Sequence, residues 1–178
     1  MAYELQNVKN PVYNSNMKNL IIIAAIGRKR ELGHNNDLIW RIKEDLQFFR
    51  DTTMGHYMFM GRKTYDSLPD RLAEGRKYLV LSREVKSSGD IKAFASIDEF
   101  LEFARATDED IYVIGGGAVY SALLQCTNKM ILTEIDDDFA DADVFFPSFD
   151  KTQWDVERGE KQTDGDLTYR RNIYIRRT

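Results

Sequence analysis

Cysteine is almost missing from this 178-residue chain, Cys126 being the only one. A single thiol excludes an internal disulfide and fits a reducing compartment, which points to the cytoplasm. With only two histidines beside it, His34 and His56, the chain has too few soft ligands for a structural zinc site. Proline is scarce at three residues, and no Pro- or Ser-rich linker divides the sequence. The longest apolar run, residues 20–26, falls far short of the roughly 20 residues that span a bilayer. Neither sign of charge dominates: 25 Lys and Arg meet 29 Asp and Glu, a formal net charge of −4. Such a balance argues against a general nucleic-acid or anionic-membrane surface, either of which wants an excess of Lys and Arg.

What remains is an ordinary globular composition, 43% hydrophobic and 30% charged, enough to bury a proper core. The length makes one domain the default. Residues 1–16 are polar, carry Asn7, Asn10, Asn14 and Asn16, and have no apolar stretch that could act as a signal peptide. They are expected to be a flexible extension, with the folded domain over 17–178.

From Leu20 the pattern alternates between short β-rich runs and amphipathic stretches. The continuous apolar run 20–26 reads as a strand covered on both faces. Residues 27–40 are polar and irregular, with Gly33, Asn35 and Asn36 as turn residues, and predict a long loop. Helical spacing follows over 42–53, then short strands over 57–60 and 78–81. Ser96, with Glu99 three positions on, is a good N-cap for a helix over 97–106. A buried-type strand over 111–114, a helix over 118–124 and a strand over 130–135 come next, with late strands over 154–157 and 168–175. Alternating strands and helices argue for an α/β fold with a mainly parallel central sheet flanked by helices. Two successive strands at the C-terminal end add an antiparallel edge.

The segment Val113-Ile114-Gly115-Gly116-Gly117-Ala118-Val119-Tyr120 is the strongest single feature. An apolar strand runs into glycines and then a helix, where the backbone can approach a ligand closely and free N–H groups can bind anions. Neither the dinucleotide fingerprint nor the P-loop spacing fits, so a tight turn without ligand stays open beside a phosphate site. Gly61-Arg62-Lys63-Thr64 repeats the design of strand, glycine and helix start. Two such turns suit a ligand with phosphates in two places. In the helix over 42–53, Ile42, Leu46, Phe49 and Thr53 share one face, and Asp45 projects at the edge of that apolar arc. A carboxylate there costs free energy unless it meets a partner or ligand, although an acid at a helix start also complements the dipole. Basic residues gather at strand ends: Arg62, Lys63, Arg76, Lys77 and Arg83, with Ser82 beside the last. They suggest anionic groups docking across one edge of the sheet, against the plainer reading of a solvated surface. No nucleophile elbow or zinc-protease motif occurs. The acids Glu134 and 136–138 read as a surface loop after a strand rather than a metal site.

Taken together, these residues resemble dihydrofolate reductase over residues 17–178. The resemblance is carried by Leu32-Gly33, by 36–40 ending in Trp40, by Asp45, and by Met60-Gly61-Arg62-Lys63-Thr64-Tyr65. It continues through Gly75-Arg76-Lys77, Leu81-Ser82-Arg83, the 113–120 segment and Leu132-Thr133-Glu134-Ile135-Asp136. It implies hydride transfer from NADPH to C6 of 7,8-dihydrofolate with a proton to N5, giving tetrahydrofolate for one-carbon metabolism in a monomeric enzyme that antifolates would inhibit. Asp45 would hydrogen-bond the 2-amino group and N3 side of the pterin, supported by Thr133 through its hydroxyl and a water. It would favour the protonated pterin electrostatically while water delivers the proton.

By the same resemblance, Ile23, Ala24 and Ala25 would line the pterin pocket, with the carbonyls of Ile23 and Ile114 facing the ring. Leu46, Phe49, Leu68, Leu72 and Tyr120 would complete the substrate contacts. Arg76 would pair with the α-carboxylate of the glutamate tail. Gly115, Gly116 and Gly117 would sit against pyrophosphate and ribose, with a cis peptide at Gly115-Gly116, while Lys63 and Thr64 would serve the second phosphate turn. Arg62, Ser82 and Arg83 would hold the adenosine 2′-phosphate, which favours NADPH over NADH. The remaining cofactor contacts would come from Ala25, Ile26, Leu32, Gly33, Asn36, Gly61, Leu81, Ile114, Ala118, Val119 and Tyr120. Residues 27–40 match the family's mobile lid, with Leu38 the apolar lid residue nearest the nicotinamide and Trp40 at its end. Ile39 departs from the family, many members having proline there, and Glu74 reads as an insertion before Gly75. Two rivals stay open: the pyrimidine reductase of riboflavin synthesis, and an NADPH-binding module without turnover. Asp45, Trp40 and Arg76 speak for the pterin enzyme.

Overall fold

The computed structural model describes residues 17–69 and 75–177. The expected extension over 1–16, and Leu72 and Glu74, lie outside the described residues. Strand β1 (Met17–Ile26) is the apolar run found in the sequence, lengthened at its start by Met17, Lys18 and Asn19. Leu20, Ile21, Ile22 and Ile23 are all buried, so both faces of the strand are covered. Residues 27–40, expected as a loop, fold into a hairpin of β2 (Glu31–His34) and β3 (Asp37–Leu38). Its two turn residues, Asn35 and Asn36, take φ of 51° and 61° between the paired His34 and Asp37. Asparagine tolerates that left-handed region, and a two-residue turn with both φ positive matches the twist of a hairpin.

Helix α1 (Lys43–Thr53) precedes β4 (Tyr57–Gly61), the single-turn α2 (Arg62–Asp66) and β5 (Lys77–Leu81). Next come β6 (Ile91–Phe94), which the sequence pattern did not reveal, and α3 (Ile97–Ala106). The Ser96 side chain accepts the Glu99 N–H, and Glu99 accepts the Ala95 N–H, so the helix start is capped from both directions. Strand β7 (Ile111–Gly115) leads into α4 (Gly117–Leu123), followed by β8 (Thr127–Ile135) and the short β9 (Val144–Phe145). The chain ends in a hairpin of β10 (Trp154–Asp164) and β11 (Leu167–Arg176).

Eight strands form one sheet in the order β10-β11-β8-β1-β7-β4-β5-β6. Pairings from β8 through β6 are parallel, while β11 runs antiparallel to both β8 and β10. The sheet is thus mainly parallel with an antiparallel C-terminal edge. One face packs Leu20, Ile22 and Val113 against α3 and α4, with Phe59 and Phe100 stacked at 3.5 Å between centroids. The other packs Ile21, Ile23 and Ile131 against Phe48 and Phe49 of α1. No helix among the described residues is long and apolar enough to cross a membrane.

Candidate active site

The carboxyl ends of β1, β4 and β7 open into a cavity of about 850 Å³, roofed by the hairpin over 31–38 and walled on one side by α1. A cleft of that size suits a small-molecule ligand pair, and the ends of parallel strands are where such ligands dock. Its floor is Ile23, Ala24, Ala25 and Ile114, its α1 wall Asp45, Leu46, Phe48 and Phe49, and its outer rim Leu68 and Pro69. Helical periodicity brings Asp45, in the first turn of α1, to the cavity beside the apolar face.

Asp45 meets its partners through one oxygen. Thr133, on β8, donates its hydroxyl directly to Oδ1 at 2.6 Å. Arg171 Nη2, on β11, reaches the same oxygen at 2.8 Å. Oδ2 receives no side-chain hydrogen bond among the described residues. The two partners stand side by side because Arg171 pairs with Thr133 in register. Opposite this wall, the Tyr120 hydroxyl is buried and donates to the carbonyl of Ile23 at 2.9 Å, and burial pushes its ionisation well above the usual range. It pins α4 to β1 at the floor of the cavity.

Two glycine turns form the other half. The Gly115-Gly116 peptide is cis, and Gly115 adopts φ of 119°, which an L side chain resists. The N-terminal ends of α2 and α4 carry no side-chain cap at Gly61 and Gly116, leaving first-turn N–H groups for a ligand. A Cβ on Gly116 would stand 3.5 Å from Thr64 Oγ1, so the turns face each other, and one on Gly117 would come within 3.0 Å of the Phe145 carbonyl. Arg62, Lys63 and Thr64 line the cavity here, with Leu81 and Ala118 to Tyr120. Arg62 pairs with Asp66 at 3.1 Å and with Glu84, which brings it beside the turn of Ser82 and Arg83. Facing uncapped helix starts, tight glycines at 61, 115 and 117 and a cluster of cations fit an elongated phosphate-bearing cofactor.

The hairpin closes over both halves. Leu32, Gly33, Asn36, Leu38 and Trp40 line the cavity, and Leu38 is 50% exposed at the mouth. The Trp40 indole donates to Asp137 Oδ2 at 3.0 Å, and this bond, first among its causes, holds the Asp137 carboxyl below its ordinary range. Gly27 is required beneath it, because a Cβ there would collide with the Trp40 ring and the Glu31 carboxylate. Glu31 itself is buried, and its two oxygens accept the N–H groups of Lys29 and Phe139, tying the hairpin to the chain after β8.

Not every residue expected at the site lines the cavity. Ile26 is buried in the core shared with α3 and α4. Gly115 lies behind the Tyr120 ring. Arg76 is 2% exposed and donates Nη2 to the Arg50 carbonyl at 3.1 Å, so Arg50 stands at the rim in front of it. The Ser82 hydroxyl is taken up by the N–H groups of Glu84 and Val85, and Ser82 and Arg83 lie past the cavity's end. Conversely, Phe48, Pro69, Val144 and Arg171 were not singled out in the sequence. Phe48 was visible on α1 next to the apolar arc. Arg171 stands 126 residues from Asp45, beside a second arginine in β11.

A family model described as "Dihydrofolate reductase" matches residues 19–176 of the chain. A protein named dihydrofolate reductase from Mycobacterium tuberculosis is 36% identical, the match covering 87% of this chain and 96% of that protein. One of the same name from the moth Heliothis virescens is 33% identical with the same two coverages. Another from Neisseria gonorrhoeae is 32% identical over 82% of this chain and 90% of its own.

Proposed function

Because the chain belongs to the dihydrofolate reductase family and is an oxidoreductase that reduces dihydrofolate, we propose that NADPH is its reductant and that Asp45 governs the proton side of the reaction. When bound, NADPH supplies a hydride for C6 of 7,8-dihydrofolate. The chain's own work is alignment, dryness and charge. Ile23, Ala24, Leu46, Phe49 and Ile114 give the pterin an apolar slot, and Asp45 offers Oδ2 to its 2-amino and N3 donors. A carboxylate held there favours the pterin protonated at N5, with water as the proton source. Leu38 and Trp40 close the mouth and exclude bulk water from the reacting ring. The facing turns at Gly61–Thr64 and Gly116–Tyr120 would hold the cofactor's phosphates and ribose, and Arg62, Ser82 and Arg83 its 2′-phosphate. Arg76, behind Arg50, would receive the glutamate α-carboxylate.

The observation that carries this reading is the Asp45–Thr133 pair, set in an apolar cavity across from two uncapped helix starts. Cys126, buried and outside any disulfide, supports a cytoplasmic setting. The chain is further read as a monomer, which sedimentation analysis tests. The decisive experiment follows NADPH absorbance with and without 7,8-dihydrofolate for the wild type and Asp45→Asn. The variant should bind NADPH almost unchanged while turnover near neutral pH falls at least roughly 100-fold. Part of that turnover should return in acid, where the substrate is already protonated. Equal turnover by the two proteins across pH removes Asp45 from the mechanism.

A further inference from the structure

We infer that Arg171 is a positioning and specificity-determining residue: it holds Oδ1 of Asp45 so that Oδ2 is offered to the ligand, and its charge biases the site toward an uncharged pterin over a cationic ring. The inference rests on the reading of Asp45 given above. Arg171 leaves β11 directly across from Thr133, and its guanidinium lies 3.6 Å from the centre of the Phe48 ring. It then meets Asp45 Oδ1 at 2.8 Å, the oxygen that already accepts the Thr133 hydroxyl. Two donors on one oxygen fix the rotation of the carboxylate and leave the other oxygen as the acceptor for the cavity.

The support behind Arg171 is itself rigid. Tyr169, two residues earlier on the same face of β11, donates to Glu44 at 3.1 Å, so the strand grips α1 at neighbouring acids. Behind it, β10 bulges, and a Cβ on Gly159 would come 2.2 Å from the Arg171 carbonyl, so glycine lets the two strands approach. Among the described residues, Arg171 has no ion pair other than Asp45, and its Nε finds no hydrogen-bond acceptor. Its positive charge is therefore answered by Asp45 and by the face of Phe48.

A lone carboxylate attracts a protonated ligand more strongly than a neutral one. Asp45 is not alone, since the pair is only 17–20% exposed and water screens it poorly. A cation placed on Oδ2 would meet Arg171 across the same carboxylate and be repelled. A neutral pair of N–H donors would not. Folic acid and methotrexate share a glutamate tail, but the first presents an uncharged 2-amino-4-oxo ring and the second a basic 2,4-diamino ring.

The test measures dissociation constants for both ligands by quenching of protein fluorescence at saturating NADPH, in wild type, Arg171→Gln and Arg171→Lys. The preference for methotrexate over folic acid should rise roughly tenfold in R171Q, which loses the charge, and change less than threefold in R171K, which keeps it. Arg171→Met, which preserves the stem over Phe48, serves in place of R171Q should that variant fail to fold. A structural role alone would weaken both ligands together and leave their ratio in place. A rise below threefold in R171Q, or an equal rise in R171K, overturns the inference. The Asp45→Asn protein separates the two layers: if it keeps the wild-type preference for methotrexate, the reading of Asp45 has failed rather than that of Arg171.

Discussion

Arg62 is answered by two carboxylates, Asp66 four residues on and Glu84 from the next turn, at a position only half exposed. Surface pairs of this kind add little to stability, so their value here is to hold a planar cation at the end of the cavity. Arg83 sits in that same neighbouring turn. Arg62→Gln and Arg83→Gln together should weaken NADPH at least roughly tenfold and NADH less than twofold, since a charge-assisted bond to phosphate is lost only where phosphate exists. Fluorescence titration with the two cofactors reads the ratio, and an equal loss for both takes these residues away from the 2′-phosphate. At this scale the sequence was partly legible. Asp45 could be found because the 3.6-residue period places a charge against an apolar arc. Arg171 could not, because nothing local marks which of two adjacent arginines turns inward, and its partner is supplied by tertiary packing. Arg76 shows the converse: its residue type suited a carboxylate, but its burial depends on how the end of α1 covers it.

Among the elements, the hairpin over the cavity differs most from its sequence. Polar residues with glycine and asparagine read as an irregular loop, yet Asn35 and Asn36 set a tight turn and β2 finds a second partner in β9, more than a hundred residues away. Alternation over four residues is too short to announce a strand, and β6 escaped notice for the same reason. By contrast, α3 carried its cap in its own sequence. The hairpin is tethered where Trp40 donates to Asp137, whose carboxyl is held below its ordinary value by the indole bond and then by the Asp138 N–H. For a group whose folded value is depressed, the contribution is present above the ordinary 3.8 and is lost as pH falls through the folded value. The tether should therefore survive mild acid and release only below about pH 4. Tryptophan emission followed from pH 7 to pH 3 should show a red shift in that range, over a steady background from buried Trp154. Asp137→Asn should lack the step. An unchanged step in that variant would assign the transition to another group.

Across the whole molecule, fold class followed from the order of apolar runs, whereas strand order did not. That β1 lies between β7 and β8, and that β4 follows β7, is set by crossovers that no local pattern records. The length of β10 was hidden as well, because its residues after Trp154 are exposed and mostly charged or polar, a composition that protects an open sheet edge from further pairing. On the same sheet and the helix α4 packed against it lie five tyrosines, at 78, 112, 120, 169 and 174, each driven above its ordinary value of 10 chiefly by burial. They sit on β5, β7, α4 and β11, so ionisation of the unfolded chain bears on both halves of the sheet at once. A folded value raised above the unfolded one means that the stabilisation is complete below pH 10 and drains away as pH climbs past it. The urea midpoint should thus begin to fall near pH 9, where burial also raises the Cys126 thiol, and drop steeply above pH 10. Tyr120→Phe keeps the ring but not the hydroxyl that donates to Ile23, so it should begin with a lower midpoint at pH 8 and lose less between pH 9.5 and pH 11. The two curves should converge as alkali removes from the wild type what the substitution has already removed. Parallel curves would mean that Tyr120 stays protonated in the unfolded chain over this range or that other groups control the alkaline limit.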